Sequence, residues 1–310
     1  MHEVNITASD ASRRLDKYLL AYFCNAPQSL VYKLLRKKRI KFNGKKATGS
    51  ELLANGDVIG MYLSQDTIAD LRKPSSQINH DDKWLRLLDI IFEDDNLLIV
   101  NKPTGIPSHG GMKGNKTHLL ARMLGYLHSS GSYPANATFT PALCNRLDVN
   151  TSGLVICGKN YQALRAVNAA FASEGSIEKT YIAVVEGELH GSKTLENHYH
   201  KNTNTNKAYI TENPEYPKVI TAYKSLSITS NRSLVQINPI TGRSHQIRAH
   251  MASIGHPLVG DKKYGGKPDR EKIGQLLHCN QITFKIPILD YPIGTTWIAE
   301  PPNWFGKINI

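Results

Sequence analysis

The side chains best suited to chemistry lie in the stretch CNRLDVNTSGLVIC, from Cys144 to Cys157. Asp148 and Arg146 stand in a polar segment, and the apolar run that follows them is typical of a buried strand. A carboxylate at the mouth of an apolar core tends to take up a proton, and a nearby cation keeps it ionised. This pairing makes Asp148 a candidate catalytic group. The alternative is an ordinary turn aspartate that hydrogen-bonds its own backbone.

Two more segments favour the catalytic interpretation. The segment TGRSHQIRAHM carries Arg243, His245 and Arg248. The segment EKTYIAVVEG places Tyr181 beside Lys179 at the start of a predicted strand. A carboxylate, a phenol and guanidinium groups would form a site if the fold brings them together.

Other common chemistries lack their motifs. No phosphate-binding GxxxxGK[ST] or GxGxxG motif follows a strand. His245, His250 and His256 are spaced five and six residues apart without a carboxylate among them, which does not match a helical metal motif. Ser152 is not in a GxSxG elbow. We therefore expect neither a metal nor an organic cofactor.

The charge of the chain indicates a polyanionic partner. The 310 residues suffice for one large and one small domain, and 40% hydrophobic with 21% charged residues is an ordinary globular balance. The net charge of +12 is not ordinary, and nucleic acid is the leading candidate for a partner. The alternative is a basic surface that serves only solubility.

Residues 1–63 are predicted to form a small α/β domain. The segment SRRLDKYLLAYF has helical apolar spacing with Ser12 as its expected cap, and a second helix is expected from about Ser29. The following strand ends at Asn43-Gly44, a strong signal for a hairpin turn.

A basic segment crosses the second helix and this turn. Between Lys33 and Lys46 there are eight basic residues and no acidic one. Side chains at a helix end and a turn can converge on phosphates, so we expect RNA or DNA contact rather than a face that only meets solvent. The predicted contact residues are Lys33, Arg36, Lys37, Lys38, Arg39 and Lys41.

The remainder is predicted to be a linker, residues 64–86, and a catalytic domain, residues 87–310. The linker is polar, with Pro74-Ser75-Ser76 near its middle. Hairpin-like spacing predicts a central mixed, mostly antiparallel sheet and an α+β fold class. Strands are expected at 153–158, 178–187, 219–228, 233–238 and 281–286, and helices at 160–172 and 244–254.

The sequence also suggests a compartment. Its four cysteines form no CxxC pair and are expected to be buried free thiols of a reducing environment. The N-terminus shows no signal-peptide pattern, and no apolar run reaches the roughly 18 residues of a membrane span. We expect a cytoplasmic monomer that does not bind membranes.

Six motifs, in order, resemble the RluA-type pseudouridine synthases, and the small basic domain resembles the S-four-like RNA-binding domain that many of them carry. The resemblance runs from about Ser12 to the C-terminus and is strongest to the subgroup that acts on large-subunit ribosomal RNA. It departs from the family at Asn145, where the signature usually has histidine. The motifs are PQSLVYKLLRKKRI, EDDNLLIVNKPTGIPSHGG, NRLDVNTSGLVICGKN, EKTYIAVVEG, ITGRSHQIRAHMASIGHPLVGDKKYGG and LLHCNQITF.

The resemblance implies roles for the site residues. It assigns catalysis to Asp148, its cationic partner to Arg248, and stacking on the target base to Tyr181. One ionised carboxylate can stabilise or capture the positive charge that develops on a sugar when its base leaves. The base must be extruded from folded RNA, and the resemblance implies that Arg146 fills the gap. His109, Arg243 and His245 are expected to lie on the RNA-facing rim.

Two alternatives remain open. One is a transfer-RNA synthase of the same family. The other is a non-catalytic ribosome-assembly factor that uses the fold only to bind RNA. The set of Asp148, Tyr181 and Arg248 favours an enzyme, because binding alone does not need these three residues.

Overall fold

We describe the protein from a computed structural model that covers residues 1–72, 88–110, 118–133, 137–229, 231–268 and 274–302. Helices and strands form a small N-terminal unit and a large mixed sheet, which confirms the predicted α+β class. The helices are α1 Leu15–Tyr22, α2 Gln28–Arg36, α3 Gln65–Arg72, α4 Leu119–Ser129, α5 Tyr161–Ala172 and α6 Gln246–Ser253. The strands are β1 His2–Asn5, β2 Ile40–Phe42, β3 Lys45–Lys46, β4 Val58–Met61, β5 Asp89–Glu93, β6 Leu97–Lys102, β7 Ala142–Leu143, β8 Ser152–Gly158, β9 Ile177–Glu186, β10 Ser192–Asn202, β11 Lys207–Thr211, β12 Lys218–Ile228, β13 Arg232–Pro239, β14 Leu277–Phe284 and β15 Thr296–Ile298.

The N-terminal unit packs α1 and α2 on an antiparallel sheet of order β1-β4-β2-β3. Its core includes Leu19, Phe23 and Ile59, which are fully buried. Asn43 and Gly44 both have positive φ (47° and 76°), as a two-residue hairpin turn between β2 and β3 requires. The predicted hairpin is therefore confirmed.

Two expectations about this unit are wrong. Ser12 is not the cap of α1, because the helix begins three residues later with Arg14 at its N-cap, and Ser12 itself has a left-handed φ of 66°. The linker does not begin at residue 64, because α3 occupies 65–72. Ile68 of α3 is buried in the N-terminal core, so apolar contact rather than composition decides this segment. The rest of the predicted linker, 73–86, lies outside the described residues.

The large sheet extends from β5 to β15. Among the described residues its strand order is β11-β10-β12-β13-β9-β14-β8-β6-β5, with β15 added to β14 and β7 added to β8. The pairing of β8 with β14 is parallel, and the other recorded pairings in this sheet are antiparallel. The prediction of a mixed, mostly antiparallel sheet is confirmed.

Helices cover the sheet in two places. Helices α4 and α5 pack on β6 and β8 through a large core cluster that contains Met123 and Val167. Helix α6 packs on β9 and β13 through a second cluster that contains Ile247 and Met251. Tyr181, on β9, contacts both clusters. Side chains just before β8, in the middle of β9 and in the first turn of α6 can therefore come close together.

The sequence prediction missed the hairpin of β10 and β11. Strand β10 reads SKTLENHYHKN, and only Leu195 and Tyr199 on it are buried. A strand with so little apolar alternation has no clear sequence signal. It forms because β12 offers it a partner for its backbone.

Two general expectations also have outcomes here. Within the described ranges, no helix has the length and apolarity needed to cross a bilayer. None of the four cysteines, all within the described ranges, forms a disulfide, and Cys157 and Cys279 are buried as expected. Cys144 is only partly buried, and the expectation is wrong for Cys24, which is exposed.

Candidate active site

Asp148 lies in the turn that leads into β8, and a buried lysine holds this turn from below. Lys102, at the end of β6, is fully buried. Its Nζ donates to the carbonyl oxygens of Pro103 (3.0 Å), Ile106 (2.9 Å) and Val149 (3.1 Å). These acceptors match the three donors of an ammonium group. Lys102 therefore ties the turn of Asp148 to the loop that follows β6.

The charge of Lys102 responds to its surroundings. Burial lowers its pKa to about 7, and the negative charge of Asp148 opposes this shift. Ser108 strengthens the same junction, because its hydroxyl donates to the Leu147 carbonyl (2.8 Å) and accepts from the Leu147 amide (3.1 Å). The carboxylate is thus carried by a backbone that is fixed on both sides.

Asn145 explains the departure from the family signature. Its side-chain amide donates to Leu154 O (3.1 Å), and its oxygen accepts from Ile156 N (2.8 Å). The side chain therefore satisfies the backbone of β8 as a neighbouring strand would. At this position both ends of the carboxamide bond the backbone of β8.

Arg248, on α6, joins two carboxylates. Its NH1 donates to Asp148 Oδ2 (2.9 Å), while Nε and NH2 donate to Asp261 Oδ2 (2.6 Å) and Oδ1 (2.8 Å). Burial by itself lowers the pKa of Arg248, but the hydrogen bonds and charges of Asp261 and Asp148 raise it above its ordinary value. The guanidinium is therefore a permanent cation with a fixed orientation toward Asp148.

His245 also lies against Asp148. Its Nε2 stands 3.7 Å from Asp148 Oδ2, and its Nδ1 stands 3.0 Å from the hydroxyl of Tyr264. Both recorded contacts of the Asp148 carboxylate reach Oδ2. In the described part of the chain no hydrogen bond reaches Oδ1, and 30% of the side chain is exposed. One carboxylate oxygen is therefore held, and the other is available to a ligand.

Tyr181 reaches the same place through strand pairing. On β14, Cys279 pairs with both Tyr181 of β9 and Gly153 of β8. Gly153 has a φ of 114°, and a Cβ there would stand 2.3 Å from the Cys279 carbonyl oxygen, so only glycine allows this approach of the strands. Burial, the Cys279 thiol and the charge of Asp148 raise the pKa of Tyr181 well above its ordinary value. Its hydroxyl is therefore protonated at neutral pH.

The predicted rim residues do not all lie on the rim. Arg146, His109 and Arg243 are exposed, and His245 is mostly buried beside Asp148. Arg146 makes no ion pair with Asp148, so the pair suggested by their closeness in sequence is absent. Partial burial lowers the pKa of His109, and the positive charge of Arg146 lowers it further. These two groups are therefore neighbours.

The basic segment of the N-terminal unit is open to solvent. Lys41 is half-buried with its Nζ 4.8 Å from the centre of the Tyr62 ring, and the other five predicted contact residues are exposed. Within the described ranges, none of the six forms an ion pair. Their positive charges are therefore not neutralised by any carboxylate of the described residues.

The histidines of the rejected metal motif have separate partners. His245 contacts Tyr264, His250 Nδ1 lies 2.7 Å from Thr221 Oγ1, and His256 Nδ1 lies 2.8 Å from Glu186 O. Among the described residues, no group of three His, Cys, Asp or Glu side chains is placed to hold a metal ion.

Sequence reasoning did not single out Lys102, Asp261 or Tyr264. Each had a signal in a motif that was used only for resemblance. Lys102 is a charge that follows the apolar run LLIV after one residue, Asn101, and the other two residues lie in GDKKYGG. What joins them to Asp148 is spatial contact between distant segments.

Known proteins with similar sequences belong to one enzyme family. A family model described as RNA pseudouridylate synthase matches residues 96–253. The chain is 34% identical to ribosomal large subunit pseudouridine synthase C of Rickettsia bellii, over 97% of this chain and 98% of that protein. It is 32% identical to the protein of the same name from Vibrio vulnificus, over 94% and 90%.

A solved structure is similar in fold. Human RNA pseudouridylate synthase domain containing 4 aligns with a TM-score of 0.56 at 22% identity, covering 73% of this chain and 92% of that one. Together with the family match, this confirms the resemblance that the sequence motifs suggested. The chain belongs to the RNA pseudouridylate synthase family, whose members are isomerases that act on RNA.

Proposed function

We propose that this protein converts specific uridines of large-subunit ribosomal RNA to pseudouridine, with Asp148 as the catalytic carboxylate. The observation that carries the proposal is the half-held carboxylate: Arg248 binds Oδ2 at 2.9 Å, and Oδ1 is open. The names of relatives at 32–34% identity over nearly the whole chain support the ribosomal substrate. Free thiols support work in the reducing cytoplasm.

The reaction exchanges one glycosidic bond for another. The bond between N1 of uracil and C1′ of ribose breaks, and a bond between C5 and C1′ forms. The hydrogen on C5 is lost, and N1 gains one, so the product is an isomer of the substrate. Positive charge that builds on the ribose during cleavage lies within reach of the ionised Asp148, which can stabilise or capture it.

The uracil leaves as a delocalised anion, so the site has less need of a second carboxylic acid than a glycosidase does. The second carboxylate present, Asp261, is engaged on both oxygens by Arg248 and is 2% exposed. It is therefore not offered as the acid. Exclusion of water is needed instead, because water would trap the ribose before the base rejoins it.

Tyr181 is proposed to hold the detached base. Its ring contacts the apolar clusters on both sides, and burial together with the nearby Cys279 thiol raises the pKa of its hydroxyl, which keeps its proton. A neutral phenol ring can stack on uracil while the base turns from N1 to C5. Because Tyr181 is protonated, it can take part in proton transfer only by donating its own proton, and it is not a resting phenolate that could act as a base.

The N-terminal unit and the exposed arginines are proposed to bind the surrounding RNA. The exposed basic segment can neutralise phosphates without first breaking internal ion pairs. Arg146 is free of Asp148 and exposed, so its planar cation can enter the helix that the target base has left. Arg243 and His109 are also exposed, and we propose them as further RNA contacts.

The proposal is tested with Asp148→Asn and Asp148→Ala. Substrate is ribosomal RNA purified from a strain that lacks the gene, and pseudouridine is mapped by chemical labelling. We expect loss of activity by at least ~1,000-fold, because the sugar loses its charge partner, with RNA affinity within about threefold of wild type. Asp95→Asn, at an exposed aspartate of the β5–β6 turn, is the matched control and should retain full activity.

Two outcomes would contradict the proposal. Full activity of both Asp148 variants would remove the catalytic role. If the wild-type enzyme modified transfer RNA and left the large-subunit RNA unchanged, the substrate assignment would be wrong and the alternative within the family would replace it. A strain rescued equally by Asp148→Asn and wild type would favour the assembly factor.

A further inference from the structure

His245 is placed where no ordinary helix cap would stand. It precedes α6 with a φ of 56°, a left-handed conformation that costs free energy in a residue other than glycine. Its side chain caps no amide of the helix and is 11% exposed. The backbone strain aims the imidazole at Asp148, which suggests a role inside the site.

The phenol of Tyr264 contacts both neighbours of Asp148. Its hydroxyl lies 3.0 Å from His245 Nδ1, and its ring lies 5.0 Å below the Arg248 guanidinium carbon. The hydroxyl oxygen also accepts from the backbone amide of Ala208, in β11, at 2.8 Å. The hairpin that the sequence did not predict is thus connected to the catalytic carboxylate through two side chains.

These contacts determine where the hydrogens lie. An amide N–H can only donate, so Ala208 uses an acceptor site of the phenol oxygen. The phenol has one hydrogen of its own, and Nδ1 of His245 is the acceptor within reach. If His245 donated from Nδ1 instead, the phenol hydrogen would be left without a partner in the described structure, at a cost.

We propose that Tyr264 holds His245 as the neutral Nε2–H tautomer, and that His245 is a positioning residue which, with Arg248, holds Asp148 Oδ2 and leaves Oδ1 to the ribose. The inference rests on the proposed function for the identity of the ribose. The 3.7 Å between Nε2 and Oδ2 is too long for a hydrogen bond in the free enzyme. It shortens to bonding distance when substrate fills the site.

The surroundings favour the neutral ring. Burial lowers the pKa of His245, Asp148 opposes this, and the positive charges of Arg248, Lys263 and Lys201 lower it further. An uncharged imidazole has a choice of tautomer, and the wrong one would turn a nitrogen lone pair toward the carboxylate. The hydrogen bonds from Ala208 to Tyr264 and from Tyr264 to His245 Nδ1 leave the hydrogen on Nε2.

The test is nitrogen NMR of the full-length ¹⁵N-labelled protein at pH 7.5. The ring signals of His245 are assigned by their absence from His245→Gln. Wild type should show Nε2 protonated and Nδ1 bare, and Tyr264→Phe should shift His245 toward a mixture of tautomers. Tyr209→Phe, at an exposed tyrosine of the same hairpin, is the control and should leave the signals unchanged.

Kinetics supply the second readout. Tyr264→Phe and His245→Gln should each lower kcat about tenfold with KM for RNA within twofold, and the double variant should lose no more than either single one. Protonated Nδ1 in the wild type would overturn the inference, and beyond the wild type this measurement needs only the assignment spectrum of His245→Gln. A tautomer unchanged by Tyr264→Phe, or additive losses of kcat, would also overturn it. If the tautomer were as expected but no pseudouridine formed, the proposed function would fail instead.

Discussion

Replacement of Asp261 by asparagine should damage catalysis from a position that no substrate reaches. Asp261 accepts two hydrogen bonds from Arg248, at 2.6 and 2.8 Å, and is 2% exposed. Asparagine has nearly the same size but keeps only one of the two oxygens. Its new NH₂ group would face an N–H of the guanidinium, and the buried cation would lose its nearest negative charge.

The size of the effect follows from these contacts. Breaking a buried ion pair by removing one partner costs about 3–5 kcal/mol. The lower end applies, about 3 kcal/mol, because Asp148 still accepts from Arg248 and asparagine keeps one acceptor. At about 2–3 °C per kcal/mol, the melting temperature should fall by roughly 6–9 °C.

Catalysis should fall more steeply than binding. Arg248 would lose the partner that orients it, and a shift of about 1 Å in a catalytic group can cost about 100-fold in rate. We expect kcat to fall by about that factor and KM for RNA to change less than threefold, because Asp261 is buried beneath the site. Single-turnover pseudouridine formation and thermal unfolding measure the two effects separately.

Asp290→Asn, at an exposed aspartate, is the control and should alter neither property. A folded Asp261→Asn enzyme with wild-type kcat would refute the reasoning, because Arg248 would then be oriented without Asp261. A normal kcat together with the full loss of stability would leave Asp261 as a structural residue only.

The remaining predictions concern RNA binding and acid stability. Changing Lys37, Lys38 and Arg39 to glutamine should weaken RNA binding and reduce the slope of log Kd against log salt by about 2, because each lost phosphate contact contributes ~0.7. The control, Lys285→Gln, should leave the slope unchanged. An unchanged slope in the triple variant would contradict phosphate contact. Burial lowers the pKa of His250 to about 4, below the ~6.5 of the unfolded chain, so stability present above pH 6.5 is lost as the pH falls toward 4. In urea unfolding, the free energy of unfolding of His250→Gln should fall less between about pH 7 and pH 4 than that of wild type, by up to about 3 kcal/mol. Equal losses in variant and wild type would contradict this prediction.

Local sequence patterns carried much of the secondary structure. The apolar run that ends at Cys157 predicted a buried strand, and β8 is buried along its whole length. Asn43-Gly44 specified its hairpin turn because few residues accept two positive φ angles. Helix α3 and the β10–β11 hairpin escaped prediction, since each is stabilised by a neighbour and has a weak pattern of its own.

The catalytic candidates divide in the same way. Asp148, Tyr181 and Arg248 were singled out because they stand in motifs, and the structure brings them together. Their partners were not singled out. The ion pair suggested between Arg146 and Asp148 is absent, and Asp148 pairs instead with a residue 100 positions away in the chain.

By itself, the sequence determined the family, the approximate elements and the candidate catalytic carboxylate, because these depend on residue types at short spacing. Only the tertiary structure decided which oxygen of Asp148 is held, that Lys102 and Asp261 hold the turn and the arginine, and that His245 faces the site. Those facts depend on strands β8 and β9 both pairing with β14 at Cys279 and on the β10–β11 hairpin packing against α6. Contacts between such distant segments arise from packing, which local patterns do not encode.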